Sequence, residues 1–168
     1  MSDSEIQSGV ALRLPPHSKN RLVRYGPLIV WAVLIFIGSS NLMSASNTGG
    51  ILRPVVLWAF PSASEATLIF LHFLVRKAAH FTEYAILALL AARAFRTSSG
   101  DFLRNHWFAV SLTFVALYAL SDEFHQSLVS SRTGSIYDCL IDTAGGLVAL
   151  LLVRARVASV PGAIARGD

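Results

Sequence analysis

The sequence is short of charge and almost without cysteine. Of 168 residues only 14% are charged, while 54% are hydrophobic. Soluble domains carry roughly 25% charged residues, so the shortfall argues against a water-surrounded domain and for a membrane protein. The mean hydropathy of +0.55 agrees, and the length suits one domain. The single cysteine, Cys139, excludes an internal disulfide, and no C-x-x-C pair is present to hold zinc. Cys139 lies in an apolar segment and reads as a small buried residue. There is no internal repeat, no G-x-S-x-G elbow and no H-E-x-x-H helix. A net charge of +4 does not signal nucleic acid, because the basic residues flank apolar runs and form no basic, aromatic-interleaved surface.

The apolar runs predict an all-α, four-transmembrane-helix protein with a short interfacial helix between spans one and two. Residues 1–24 read as a flexible basic tail, 25–157 as the membrane domain and 158–168 as a C-terminal tail. "PLIVWAVLIFIGSSNLM", Pro27–Met43, is the first span, with Pro27 in its first turn. A cleaved signal peptide is the rival reading; the long basic tail and the lack of a clean A-x-A site favour an uncleaved anchor. Residues 44–63 form a Ser/Gly/Pro-rich connection, in which "ILRPVVLWAF" is interrupted by Pro54 and suits the membrane surface. Ser64 then reads as an N-cap with Glu65 in the first turn. The helical pattern behind it runs through Phe95 without Gly or Pro, and its membrane span is expected at Ala79–Phe95. After a polar loop, "RTSSGDFLRN", come spans at about Trp107–Phe124 and Ile136–Val153.

Lys and Arg sort unequally over such a topology. Arg13, Lys19, Arg21, Arg24, Arg93, Arg96, Arg104, Arg154, Arg156 and Arg166 fall on one side, against Arg53, Arg76, Lys77 and Arg132 on the other. By the positive-inside rule both termini are cytoplasmic, and the bacterial inner membrane is the expected location. Glu65, Glu83, Asp122, Glu123, Asp138 and Asp142 then gather on the outer half.

These acids share faces with other polar residues. At 100° per residue, Lys77, His80, Glu83 and Tyr84 lie on one side of a helix. Asp122 and Gln126 are four apart with Glu123 adjacent, and Asp138 and Asp142 are four apart. Gly145 lies almost in line with Asp138 and would let another helix approach. A charge at the bilayer centre costs at least ~2.5–3.5 kcal/mol, so the set must pair with cations or line a wet cavity. Two readings stand: interfacial charges facing water, or a polar pocket shared by three helices. His17, His72 and His106 read as incidental, His125 as pointing away from Asp122, and Arg93, Arg96, Arg154 and Arg156 as positive-inside anchors.

At "KAAHFTEYAILALL" and "SDEFHQSLVSSRTGSIYDCLIDTAGG" the chain resembles the VanZ-like family of small bacterial membrane proteins, and Ser39-Ser40 closing the first span fits the same pattern. The resemblance covers roughly residues 27–153. It implies recurrent polar positions at Lys77, His80, Glu83, Tyr84, Asp122, Glu123, Gln126, Arg132, Ser135, Asp138 and Asp142. The founding member is associated with low-level resistance to the glycopeptide teicoplanin, but no chemical activity attaches to the family at large. Three functions compete. The first is binding or modulation of an envelope component, such as a lipid headgroup or a lipid-linked precursor, with Lys77 and Arg132 on phosphate. The second is an intramembrane enzyme on a phosphorylated lipid, with His80 as base. The third is a structural role in which the polar set joins helices. Carboxylates and His80 would suit Mg²⁺, Mn²⁺ or Zn²⁺, but their spacing is not diagnostic, and no metal or cofactor is assigned. Membrane lipids are the expected partners, and nucleic acid is not.

Overall fold

The structure, a computed structural model, describes residues 21–39, 45–128 and 135–159, apart from the side chains of 45–49 and 51. Those residues form helices and no strands. The order is α1 (Arg21–Gly38), α2 (Ala45–Ala59), α3 (Glu65–Arg96), α4 (Asp101–Asn105), α5 (Trp107–Ser127) and α6 (Ile136–Ala158). Three of them, α1, α5 and α6, are long and apolar enough to cross a membrane. Exposed Ile29, Val30, Val33 and Phe36 on α1, and Leu151 and Leu152 on α6, suit a surround of lipid.

The axis of the bundle is α3. It has 32 residues, roughly 48 Å at 1.5 Å per residue, against a hydrocarbon core of about 30 Å. Its start is set as the sequence predicts: the Ser64 side chain accepts from the Thr67 amide at 3.2 Å. Residues Leu87, Ala88, Ala91, Ala92 and Ala94 of α3 are buried with Val115 and Ala119 of α5 and Ala149 and Leu150 of α6. Small side chains let the backbones close in. Gly145 is the tightest point: a Cβ there would sit 2.3 Å from the Phe81 carbonyl oxygen. Helices α3 and α6 run parallel, since Lys77 meets Asp138 and the later Phe81 meets Gly145. Helix α5 runs against both, with Arg96 over Trp107 and Tyr84 near Tyr118.

Helix α1 departs from expectation. It begins at Arg21, six residues before Pro27, so Pro27 lies inside the helix and not in its first turn. Proline has no N–H to donate to the carbonyl four residues back, which is that of Val23. Arg93 of α3 fills the gap: its Nη1 donates to Val23 O at 3.2 Å and to Arg24 O at 3.4 Å. Further cross-links follow along α1. Tyr25 donates to Ser98 Oγ at 3.1 Å, Trp31 Nε1 to the Glu83 carbonyl at 2.9 Å, and Tyr118 to the Ala32 carbonyl at 2.5 Å.

The connection after α1 is also more helical than expected. Helix α2 continues through Pro54, and the polar loop before α5 contains the single turn of α4. An exposed bidentate pair ties α2 to the start of α3. Arg53 donates through Nη1 to Glu65 Oε2 at 2.9 Å and through Nη2 to Oε1. Those hydrogen bonds hold the Glu65 carboxyl below its ordinary range.

Candidate functional site

One end of the bundle collects polar side chains from three helices. Helix α3 contributes Lys77, His80 and Tyr84, which recur every three or four residues and so share a face. Helix α6 contributes Asp138 and Asp142 from successive turns. Helix α5 contributes Asp122, Glu123 and Gln126, all buried.

The contacts are specific. Lys77 pairs with Asp138, which is 7% exposed, and its Nζ also lies 5.2 Å from the centre of the Phe73 ring. His80 Nδ1 is 3.4 Å from Asp142 Oδ1. Gln126 Nε2 donates to Asp122 Oδ2 at 3.0 Å, the i,i+4 pair expected from spacing. The Ser135 amide donates to Glu123 Oε2 at 2.6 Å, while its hydroxyl caps α6 by accepting from the Tyr137 amide at 3.3 Å. Thus Glu123 fixes the start of α6 against the end of α5. Glu83 presents its backbone carbonyl to Trp31, and its charge acts on His80.

This end is only partly satisfied. Buried polar groups are nearly always hydrogen-bonded, and leaving one bare costs about 1–3 kcal/mol. Yet among the described residues both carboxylate oxygens of Asp142 (one of them 3.4 Å from His80 Nδ1), Oδ1 of Asp122, Oε1 of Glu123 and the Tyr84 hydroxyl are buried without a hydrogen bond of ordinary geometry. Asp142 and Tyr84 have no exposed surface at all. Among the described residues, no three His, Cys, Asp or Glu side chains are grouped to hold a metal ion.

Other residues singled out in the sequence lie elsewhere. His125 turns away and stacks on Phe36 of α1, centroids 4.4 Å apart. His72 lines a cavity of about 270 Å³ between α2 and α3. His106 shares Nδ1 with the Phe102 carbonyl at 3.0 Å. Arg132, His17 and the tail through residue 20 lie outside the described residues.

The opposite end is basic. Arg24 donates to Ser99 Oγ at 3.5 Å and Arg104 to the Ser98 carbonyl at 3.2 Å. Arg96 and Arg154 lie over Trp107 and Phe108, at 5.3 and 5.5 Å from the ring centres. Arg93, expected as an anchor alone, also completes α1. The signal for that role was present as Pro27, but the partner followed only from the packing of α1 on α3.

No curated protein and no solved structure matches the chain. The VanZ/LLP1 family pattern matches residues 25–158, which takes in every helix of the bundle but the first four residues of α1, and all the described residues of the polar end. A pattern over so much of the chain, together with three apolar helices of spanning length, makes this a membrane protein belonging to the VanZ/LLP1 family.

Proposed function

We propose that the chain is a four-span protein of the bacterial inner membrane, with α3 as the fourth span and α2 at the outer interface. Both termini are cytoplasmic and the polar end faces outward. Two features support this orientation. Basic residues concentrate at the opposite end, and α3 exceeds the hydrocarbon thickness by about a third of its length. Under this arrangement the polar end lies beneath the outer headgroups. There it binds or modulates an envelope component, a lipid headgroup or a lipid-linked precursor, with the link to glycopeptide tolerance that the family resemblance implies.

One observation carries the reading: charged groups from three helices are buried together at one end, where a merely solvated rim would leave them exposed. Lys77, and Arg132 by its place in the sequence between α5 and α6, supply phosphate contacts. The experiment is lipid identification on protein purified with its native lipids. Wild type is expected to carry a distinct phospholipid or lipid-linked sugar, depleted in the Arg132→Ala and Lys77→Ala variants. Lipid composition that matches bulk membrane in all three proteins would refute the reading.

An enzyme is the second reading, and the His80–Asp142 approach of 3.4 Å favours it. It requires hydrolase or transferase turnover of a phosphorylated lipid that disappears in His80→Ala. The binding reading expects no turnover in either protein.

A further inference from the structure

We infer that the acidic end accepts a primary ammonium group. The inference rests on the proposed headgroup binding and specifies which part of a headgroup enters. Its basis is the surplus of acceptors. Asp142 is fully buried, with His80 Nδ1 3.4 Å from one oxygen and the other without a donor, and Asp122 and Glu123 each keep one buried oxygen without a donor. These acceptors come from two helices, α5 and α6. The Tyr84 hydroxyl, also fully buried, faces Asp122 and Asp142 from α3 and makes no hydrogen bond of ordinary geometry.

Charge balance points the same way. Asp122, Glu123, Asp138 and Asp142 gather at this end, against Arg76, Lys77 and, when protonated, His80 beside Asp142. Lys77 is already engaged by Asp138. Among the described residues the acids remain in excess. Uncompensated charge out of water is costly, so a positive group is the ligand that lowers the energy of this end. An anion would raise it. An ammonium brings three N–H donors and no acceptor, which complements a nest of bare carboxylate oxygens. Lys77 and His80, both partly exposed, mark the side from which it enters. A zwitterionic phosphoethanolamine headgroup fits both halves of the site, its phosphate on the rim cations and its ammonium on the acids.

The test uses full-length protein in nanodiscs of phosphatidylglycerol, doped equally with phosphatidylethanolamine and phosphatidylcholine. Lipid co-purifying after detergent extraction is counted by mass spectrometry. The choline group keeps the positive charge but has no N–H. The ethanolamine lipid is therefore expected to be enriched at least about tenfold over the choline lipid. Asp142→Asn should abolish that preference, and Tyr84→Phe should reduce it while the melting temperature stays near wild type. If Asp142→Asn fails to fold, Tyr84→Phe decides. Free ethanolamine separates the sources. Displacement of the lipid assigns the site to primary amines in general; enrichment that resists it assigns the site to a lipid-borne amine. Equal retention of both lipids, an unchanged preference in Tyr84→Phe, or displacement of the lipid by stoichiometric Mg²⁺ or Ca²⁺ would overturn the inference. Selective retention of a lipid without amine preference would sink this inference alone, whereas no selective retention of any lipid would sink headgroup binding as well.

Discussion

The two ends of the bundle handle charge in opposite ways. At the basic end, guanidinium groups lie over aromatic rings or reach backbone carbonyls, and their stems cover apolar surface. At the acidic end, carboxylates are drawn between helices and several of their oxygens are left bare. The first arrangement is what anchoring requires. The second ties α3, α5 and α6 together through Lys77–Asp138, His80–Asp142 and Glu123 on the Ser135 amide, yet leaves some buried acceptors without donors.

Substitutions can break or sharpen this contrast. The largest effect is expected from Gly145→Leu, because its Cβ would meet the Phe81 carbonyl and backbone cannot yield as a side chain can. A loss above about 3 kcal/mol, or no folded protein, is expected by thermal unfolding in detergent. Lys77→Ala comes next. It strands Asp138, and partial exposure of the pair reduces the cost to roughly 1–3 kcal/mol. Replacing both residues with apolar ones should recover most of that loss.

At the basic end Arg93→Ala should cost about 1 kcal/mol, by baring the Val23 carbonyl. In a Pro27→Ala background, where an N–H returns to that carbonyl, the same substitution should be close to neutral. Additive losses would refute the account of Pro27. Asp142→Asn should be close to neutral for stability, since relief of a buried charge is offset by loss of its approach to His80, while lipid selectivity falls. Destabilisation there would make the acidic end structural after all. Smallest of all, Glu65→Ala should leave the melting temperature unchanged, since the pair with Arg53 is fully solvated. The sign with pH is fixed even so. The folded state holds the Glu65 carboxyl low, so any contribution is present above the unfolded value and fades as pH falls through the folded one.

Much of the fold was legible from local chemistry. Ser64 marked the start of α3, and the periodic faces of α5 and α6 placed Asp122 beside Gln126 and Asp138 one turn from Asp142. Gly145 announced a close crossing. The bounds of α1 and α2 were misjudged because proline was read as a boundary, as a first turn at Pro27 and as an interruption at Pro54, whereas both helices continue through it. In α1 a side chain far along the sequence supplies what Pro27 withholds, and no local window contains that residue. The pairing of Lys77 with Asp138, and of His80 with Asp142, depends on the register of α3 against α6, which spacing within either helix does not encode.

The dependence of α1 on Arg93 has a temporal side. Seventy residues separate Val23 from its donor, so at roughly 5–20 residues per second the nascent chain waits several seconds before Arg93 is even made. Until then α1 has an unmet hydrogen-bond acceptor at the basic end of the bundle, which water can serve. Helix α1 is thus completed only once α3 has been made, for want of a single proton at Pro27.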